Sequence, residues 1–151
     1  MKLVKPSVEI ISDIDGEAIL RHLEVAIRNA YKSEDKTSPT SHHSLIKLIL
    51  TSKHLSTLEH FSISYRVTCS RACMAQWTRH RVGHSYTIES QRFVNYNKAK
   101  FGKQITFIKP IKFDEWDTRQ FFLFKQVMEE SEKSYFKLLE AGLKPEDARN
   151  A

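Results

Sequence analysis

Apolar positions recur at helical spacing early in the chain: Ile19, Leu20, Leu23, Ile27 and Ala30 share one face between Gly16 and Tyr31. Asp15 stands just before them as an N-cap, so the pattern predicts a first helix. Lys32 to Thr40 carries Ser33, Asp35, Thr37, Ser38 and Pro39 but no apolar residue, which predicts an exposed loop. Ser41 is placed to cap a second helix with the stripe Leu45, Ile46, Ile49 and Leu50, ending near Lys53. From His60 to Ser70 the period falls to two, with Phe61, Ile63, Tyr65 and Val67 on one side, as in a half-buried strand. Helical character returns over Arg71 to Arg79, with Ser70 as cap. Gln91 to Tyr96 and Gln104 to Phe113 are rich in β-branched and aromatic residues and predict two more strands, Pro110 marking an edge or a break. Asp114 is then expected to cap a long helix from Glu115 to about Ala141, with Phe121, Phe124, Met128, Phe136 and Leu139 on its apolar face and Gly142 ending it. Pro145-Glu146-Asp147 reads as the first turn of another helix. Helices and strands that do not strictly alternate indicate an α+β fold, and 151 residues suit one domain.

Composition narrows the picture. Hydrophobic residues at 40% with only four Gly and four Pro set aside a disordered or collagen-like chain. The net charge of +6 favours anionic partners such as nucleotides, phosphates, nucleic acid or acidic lipid. No apolar run approaches the roughly 18 residues of a membrane span, and a cytoplasmic protein without a membrane partner is expected. Two cysteines, Cys69 and Cys73, are too few for a disulfide framework and read as buried reduced thiols.

Candidate chemistry gathers in two places. Gln76-Trp77-Thr78-Arg79-His80-Arg81, followed by Ser85, Glu89, Ser90, Gln91 and Arg92, brings three guanidinium groups together with an imidazole and several hydroxyl and amide donors. Such a set suits a phosphate-bearing ligand, because arginine offers a forked and permanently charged donor. The bland alternative is a solvated basic turn. The second place is His54-Leu55-Ser56-Thr57-Leu58-Glu59-His60, whose spacing matches neither the His-Glu-x-x-His helix nor a zinc finger, so no metal is expected. Its groups could hydrogen-bond a heterocycle or cap a junction. His22, His42 and His43 read as surface or interface residues. A rival class is a basic nucleic-acid-binding module using exposed aromatics such as Tyr86 and Tyr96, against which stands the acidic cluster Glu129, Glu130, Glu132 and Glu140.

Taken together these motifs resemble the flavin-dependent thymidylate synthase family, ThyX. That family's signature is Arg-His-Arg, seven residues, Ser, one residue and Arg-Tyr. Here Arg79-His80-Arg81 is followed by eight residues and Ser90-Gln91-Arg92-Phe93, so the loop is one residue longer and Phe93 replaces the Tyr. Thr87, Ile88 and Glu89 occupy the stretch where the family has its Asn and acidic residues, with Glu89 the acidic candidate. His54, Ser56, Glu59 and His60 match the family's His, hydroxyl and Glu-His ahead of a strand. Gln76-Trp77 matches its Gln-Trp, and Gly142, Glu146 and Ala148-Arg149 match its later Gly, Glu and Ala-Arg element.

The resemblance implies a ThyX-like fold, mostly an antiparallel sheet flanked by helices, including one long helix in the C-terminal half. It also implies conversion of dUMP to dTMP, with methylenetetrahydrofolate giving the one-carbon unit and NADPH-reduced FAD the hydride. By carry-over, Ser56, Arg79, His80, Arg81 and Glu89 contact FAD, with His54 and Glu59 close to it. Gln76, Arg79, Ser90, Gln91, Arg92 and Arg149 contact dUMP, with Glu89 beside them. Arg79 serves both because the family shares each site between subunits, commonly in a homotetramer. Members of the family continue past the Ala-Arg element into a segment with an Arg that activates the uracil ring. For this 151-residue stretch the resemblance therefore assigns no catalytic residue, and an inactive truncated flavoprotein is the alternative.

Overall fold

The computed structural model describes residues 1–151. The chain forms two compact units, one of residues Val8–Arg66 and one of Met1–Ser7 with Val67–Ala151. Two short strands, β1 (Lys2–Val4) and β2 (Ser7–Ile10), open the chain and lie outside the sequence expectation.

In the Val8–Arg66 unit, α1 (Gly16–Tyr31) begins where the Asp15 carboxylate accepts the backbone N–H groups of Glu17 and Ala18 at 3.0 and 3.2 Å. α2 is Ser41–Ser52. Lys32 and Lys53 follow the two helices in left-handed conformation, with φ of +46° and +60°. A lysine there replaces the glycine that would have announced a helix end in the sequence. Leu23 and Ile27 of α1 pack with Ile46 and Ile49 of α2, and Ile19, Leu20, Leu45, Leu58 and Phe61 surround them. The helical spacing thus places the expected stripes in the core, except that Ala30 is exposed and Leu50 is left 52% exposed.

Ser41 does not cap α2. It is the first helical residue, and its hydroxyl donates to Glu24 Oε1 at 2.6 Å. The same oxygen binds Arg28 Nε and Nη2 at 2.9 and 2.8 Å, while Arg28 Nη1 donates to the Ser33 carbonyl at 3.3 Å. Burial pushes the Glu24 carboxyl up, but the Ser41 and Arg28 hydrogen bonds outweigh it and hold the group below its ordinary pKa. His42, expected as a surface or interface residue, is fully buried within the chain, with Nε2 2.9 Å from Glu17 Oε2. That hydrogen bond is the main reason the Glu17 carboxyl is also lowered.

The other unit is organised around α4 (Thr118–Glu140). Its cap is Asp117, not Asp114. Asp117 accepts the Gln120 N–H at 2.8 Å while the Gln120 side chain accepts the Asp117 N–H at 3.0 Å. Residues Phe113–Glu115 instead form one tight turn, where Phe113 and Trp116 meet Phe121 and Phe124 with ring centroids 5.1 to 5.9 Å apart. The expected face of α4 is half-buried throughout, and Tyr135 is its one buried residue. Gly142, at φ +92°, ends the segment, and Leu143 N–H returns to the Leu138 carbonyl at 3.0 Å. α5 (Pro145–Ala148) follows, with Ala148 fully buried.

The sheets are smaller than expected. β3 spans only Tyr65–Thr68 of the expected His60–Ser70, His60 itself closing the tight helical turn Leu55–His60, and it pairs with β2. β4 spans Thr106–Ile108 and pairs with β1 in parallel, Leu3 opposite Phe107. Two-stranded ladders thus stand in place of a larger, mostly antiparallel sheet. Gln91–Tyr96 is not a strand: the Phe93 and Val94 N–H groups return to the Ser90 carbonyl at 3.3 and 2.9 Å and curl the segment into turns. No helix is long and apolar enough to cross a membrane.

Candidate functional site

α3 (Arg71–Trp77) delivers the basic segment. Ser70 caps it as expected, its hydroxyl accepting the Cys73 N–H at 3.2 Å. Gln76 is exposed on this helix, and Arg79, His80 and Arg81 follow in an exposed turn. Tyr86 fixes that turn: its hydroxyl lies 2.8 Å from the His80 carbonyl and 3.0 Å from that of Trp77. The tyrosine reaches back from the loop, and its ring stacks against His84 at 6.0 Å. The arginine ion pairs of the chain run through Arg21, Arg28, Arg66 and Arg92, which leaves Arg79 and Arg81 without a carboxylate. Two permanent charges held on a pinned turn with no internal partner are chemically available to an anion.

The second half of the motif is anchored differently. Thr87 and Ile88 are exposed, whereas the Glu89 carboxylate accepts the Tyr96 hydroxyl and the Glu89 carbonyl accepts Arg71 Nη2 at 2.8 Å. Burial and the Glu89 carboxylate push the Tyr96 hydroxyl well above its ordinary pKa, so it remains a donor. Glu89 and Tyr96 line a pocket of about 160 Å³ with Phe101, Gln104 and Thr106. Ser90 and Gln91 are half-buried, and the Ser90 hydroxyl accepts the Arg92 N–H at 3.3 Å. Arg92 Nε then meets Glu146 Oε2 at 3.3 Å, and Arg149 Nε donates to the Glu146 carbonyl at 3.0 Å. Arg92 and Arg149, 57 positions apart, are thereby gathered on one residue.

Three of the expected residues belong to the other unit. His54, Ser56 and Glu59 are exposed on and beside the Leu55–His60 turn, and His54 Nδ1 is 2.6 Å from the Tyr31 hydroxyl. His22 Nε2 lies 3.0 Å from the His60 carbonyl and fixes the end of the same turn.

The supporting residues Arg71, Tyr86 and Tyr96 carried no signal of their role in the sequence, whereas Glu146 stood in the later Gly, Glu and Ala-Arg element. Tyr86 and Tyr96, the aromatics on which the rival nucleic-acid reading rested, are exposed and half-buried respectively, and both use their hydroxyls inside the loop. Cys73 is exposed, not buried, and burial raises the Cys69 thiol, so Cys69 is a protonated and weak nucleophile. Glu17, His42 and His43 lie close enough to hold a cation. A metal on His42 Nε2 would require a proton on Nδ1, which is buried without an acceptor. The trio also sits in the first turns of α1 and α2, where the helix dipoles oppose a cation.

The family model described as thymidylate synthase complementing protein, Thy1, matches residues 15–151. The chain belongs to this family. It is 30% identical over 150 residues to a flavin-dependent thymidylate synthase of Pyrobaculum aerophilum, an alignment spanning 97% of this chain and 55% of that protein. A flavin-dependent thymidylate synthase of Mycolicibacterium gilvum is 39% identical over 98 residues, 63% of this chain and 38% of the relative. The chain therefore spans about half the length, or less, of these curated relatives. Among solved structures, a UMP/dUMP methylase, PolB, from Streptomyces cacaoi, bound with 5-Br dUMP, superposes with a TM-score of 0.73 at 22% identity, covering 99% of this chain and 68% of that one. That likeness shows the fold.

Proposed function

We propose that this Thy1 family chain acts in flavin-dependent thymidylate synthesis, the reductive methylation of dUMP to dTMP with methylenetetrahydrofolate as carbon donor and NADPH-reduced FAD as hydride donor. The observation that carries the reading is the pinned, unpaired pair Arg79 and Arg81 followed by the Ser90-Gln91-Arg92 turn. Two phosphate-bearing ligands need two sets of free cationic donors, and this segment offers both within fourteen positions.

The donor chemistry fits a dinucleotide. Arg79, His80 and Arg81 would grip its phosphates, with Ser56, Glu89, His54 and Glu59 as its other contacts. When bound, the flavin supplies the redox chemistry. Gln76, Arg79, Ser90, Gln91, Arg92 and Arg149 would hold dUMP, with Glu89 beside them. Negative charge builds on the uracil ring as C5 becomes nucleophilic, and fixed cationic donors stabilise it without a cysteine attacking C6. The raised pKa of the Cys69 thiol suits that route.

We also propose that residues 1–151 act as one ThyX-like domain in a cytoplasmic homotetramer that shares its sites between subunits. Supporting this, Phe122 and Leu123 on α4 are 60% and 59% exposed and Phe93 81%, apolar surface that a partner copy would cover. The 160 Å³ pocket at Glu89 is also well below the roughly 300 Å³ at which small-molecule sites begin.

An absorbance spectrum tests the reading. Flavin bands that NADPH bleaches only when dUMP is present are the expected result. A protein that takes up no added FAD would refute it. Arg92→Ala should weaken dUMP binding about tenfold and leave FAD uptake unchanged; equal loss of both ligands would remove Arg92 from the nucleotide set.

A further inference from the structure

We propose that Glu146 is a positioning residue for the phosphate end of the nucleotide site, holding Arg92 and Arg149 by their Nε atoms so that both terminal forks stay free. The inference rests on the assignment of those arginines to dUMP, which does not itself give Glu146 a role.

The geometry is specific. Each guanidinium has one inner nitrogen, Nε, and two terminal ones that together form the face used to grip a phosphate. Glu146 engages both arginines at the inner nitrogen, Arg92 through its carboxylate at 3.3 Å and Arg149 through its backbone carbonyl at 3.0 Å. No protein group occupies the terminal nitrogens of either residue. A carboxylate paired for stability makes two parallel bonds along one edge of a guanidinium, whereas Glu146 makes a single contact, at Arg92 Nε. The side chains of Arg92 and Glu146 are 60% and 36% exposed, so the pair adds little to stability and is better understood as alignment.

The platform is firm. Pro145 presets the first turn of α5, Ala148 one turn on is fully buried, and the Ala148 N–H returns to the Lys144 carbonyl at 3.0 Å. Arg92 is fixed from its own side, its N–H bonded to the Ser90 hydroxyl. Charge follows the same logic. Two guanidinium groups repel when no ligand is bound, and one carboxylate offsets half of their charge. A phosphate monoester dianion then meets a site that is still net positive.

The test compares dUMP with deoxyuridine, which lacks the phosphate, binding to the FAD-loaded protein by titration calorimetry. Glu146→Ala should weaken dUMP about tenfold, leave deoxyuridine unchanged and keep the full FAD content. Glu146→Gln, whose amide oxygen can still accept from Arg92 Nε, should recover most of the loss. In turnover, Glu146→Ala should raise KM for dUMP with kcat nearly constant. Adding Glu146→Ala to Arg92→Ala should cost nothing further, because Arg92 is the partner of the Glu146 carboxylate and the backbone carbonyl that holds Arg149 is kept. Wild-type affinity in Glu146→Ala, or parallel losses of dUMP, deoxyuridine and FAD, would overturn the positioning role while leaving the nucleotide assignment standing. A wild-type protein that binds FAD but no dUMP would overturn both.

Discussion

The side chain of Arg28 is 8% exposed and bonded to Glu24 and Ser33, whereas Arg79 and Arg81, on the turn after α3, are exposed with no carboxylate in reach. Both regions hold arginine, and the difference lies in what each has been given to bind. Around Arg28, the i,i+4 spacing on α1 and the Ser41 hydroxyl from α2 complete a closed polar knot beside Leu23 and Ile27. On the Arg79 turn the supports, Tyr86 above all, bind backbone and leave the guanidinium groups alone. Arg92 stands between the two cases, held at one nitrogen and open at the others. A cation whose surroundings fix its backbone while withholding a counter-charge stays available to a ligand, which is the basis of the proposed FAD contact.

The contrast can be broken most forcefully at Arg28. Arg28→Ala leaves Glu24 buried and unpaired and should cost about 3–5 kcal/mol in urea unfolding, whereas replacing both partners with apolar residues of similar volume should cost much less. If the single and double variants unfold alike, the knot is not the closed unit described here. Arg79→Ala and Arg81→Ala should move stability by no more than about 0.5 kcal/mol yet weaken FAD uptake about tenfold or more, measured by flavin absorbance. Acid sharpens the comparison further. Glu24 and Glu17 have pKa values held below the ordinary carboxylate value, so each adds stability that is present above that value and lost as pH falls through the folded one. Stability should decline below about pH 4.5 in wild type and in Arg79→Ala with the same profile, and less steeply once Glu24 is replaced together with Arg28. The smallest effect is expected at the thiols: Cys69→Ala and Cys73→Ala should leave turnover within about twofold, because neither group supplies a nucleophile. Loss of turnover with an intact fold would reject a cysteine-free route.

The two regions also differ in how they could be read from residues alone. The stripes of α1 and α2, the Asp15 and Ser70 caps and the Gly142 stop were legible because each depends on contacts within one or two helical turns. The start of α4 was misplaced by three residues. Asp114 and Asp117 are both plausible caps, and the decision falls to Gln120, which closes the box only with Asp117. Gln91–Tyr96 had strand composition but no partner strand, so the Ser90 hydroxyl and carbonyl drew it into turns. β1 and β2 had too few residues for any period to register. His42 looked like a surface or interface residue because nothing in its neighbourhood names Glu17, 25 positions away, as its partner.

By itself the sequence determined the positions of the main helices apart from the start of α4, the family and the concentration of cationic donors from Gln76 to Arg92, because helical periodicity and motif spacing are local properties of a chain. Only the tertiary structure decided which charges are free. It buried Arg28 against Glu24, left Arg79 and Arg81 without a counter-ion, and drew Arg92 and Arg149 together on Glu146. Charge pairing depends on distances between residues far apart in the chain, and those distances exist only once the chain has folded.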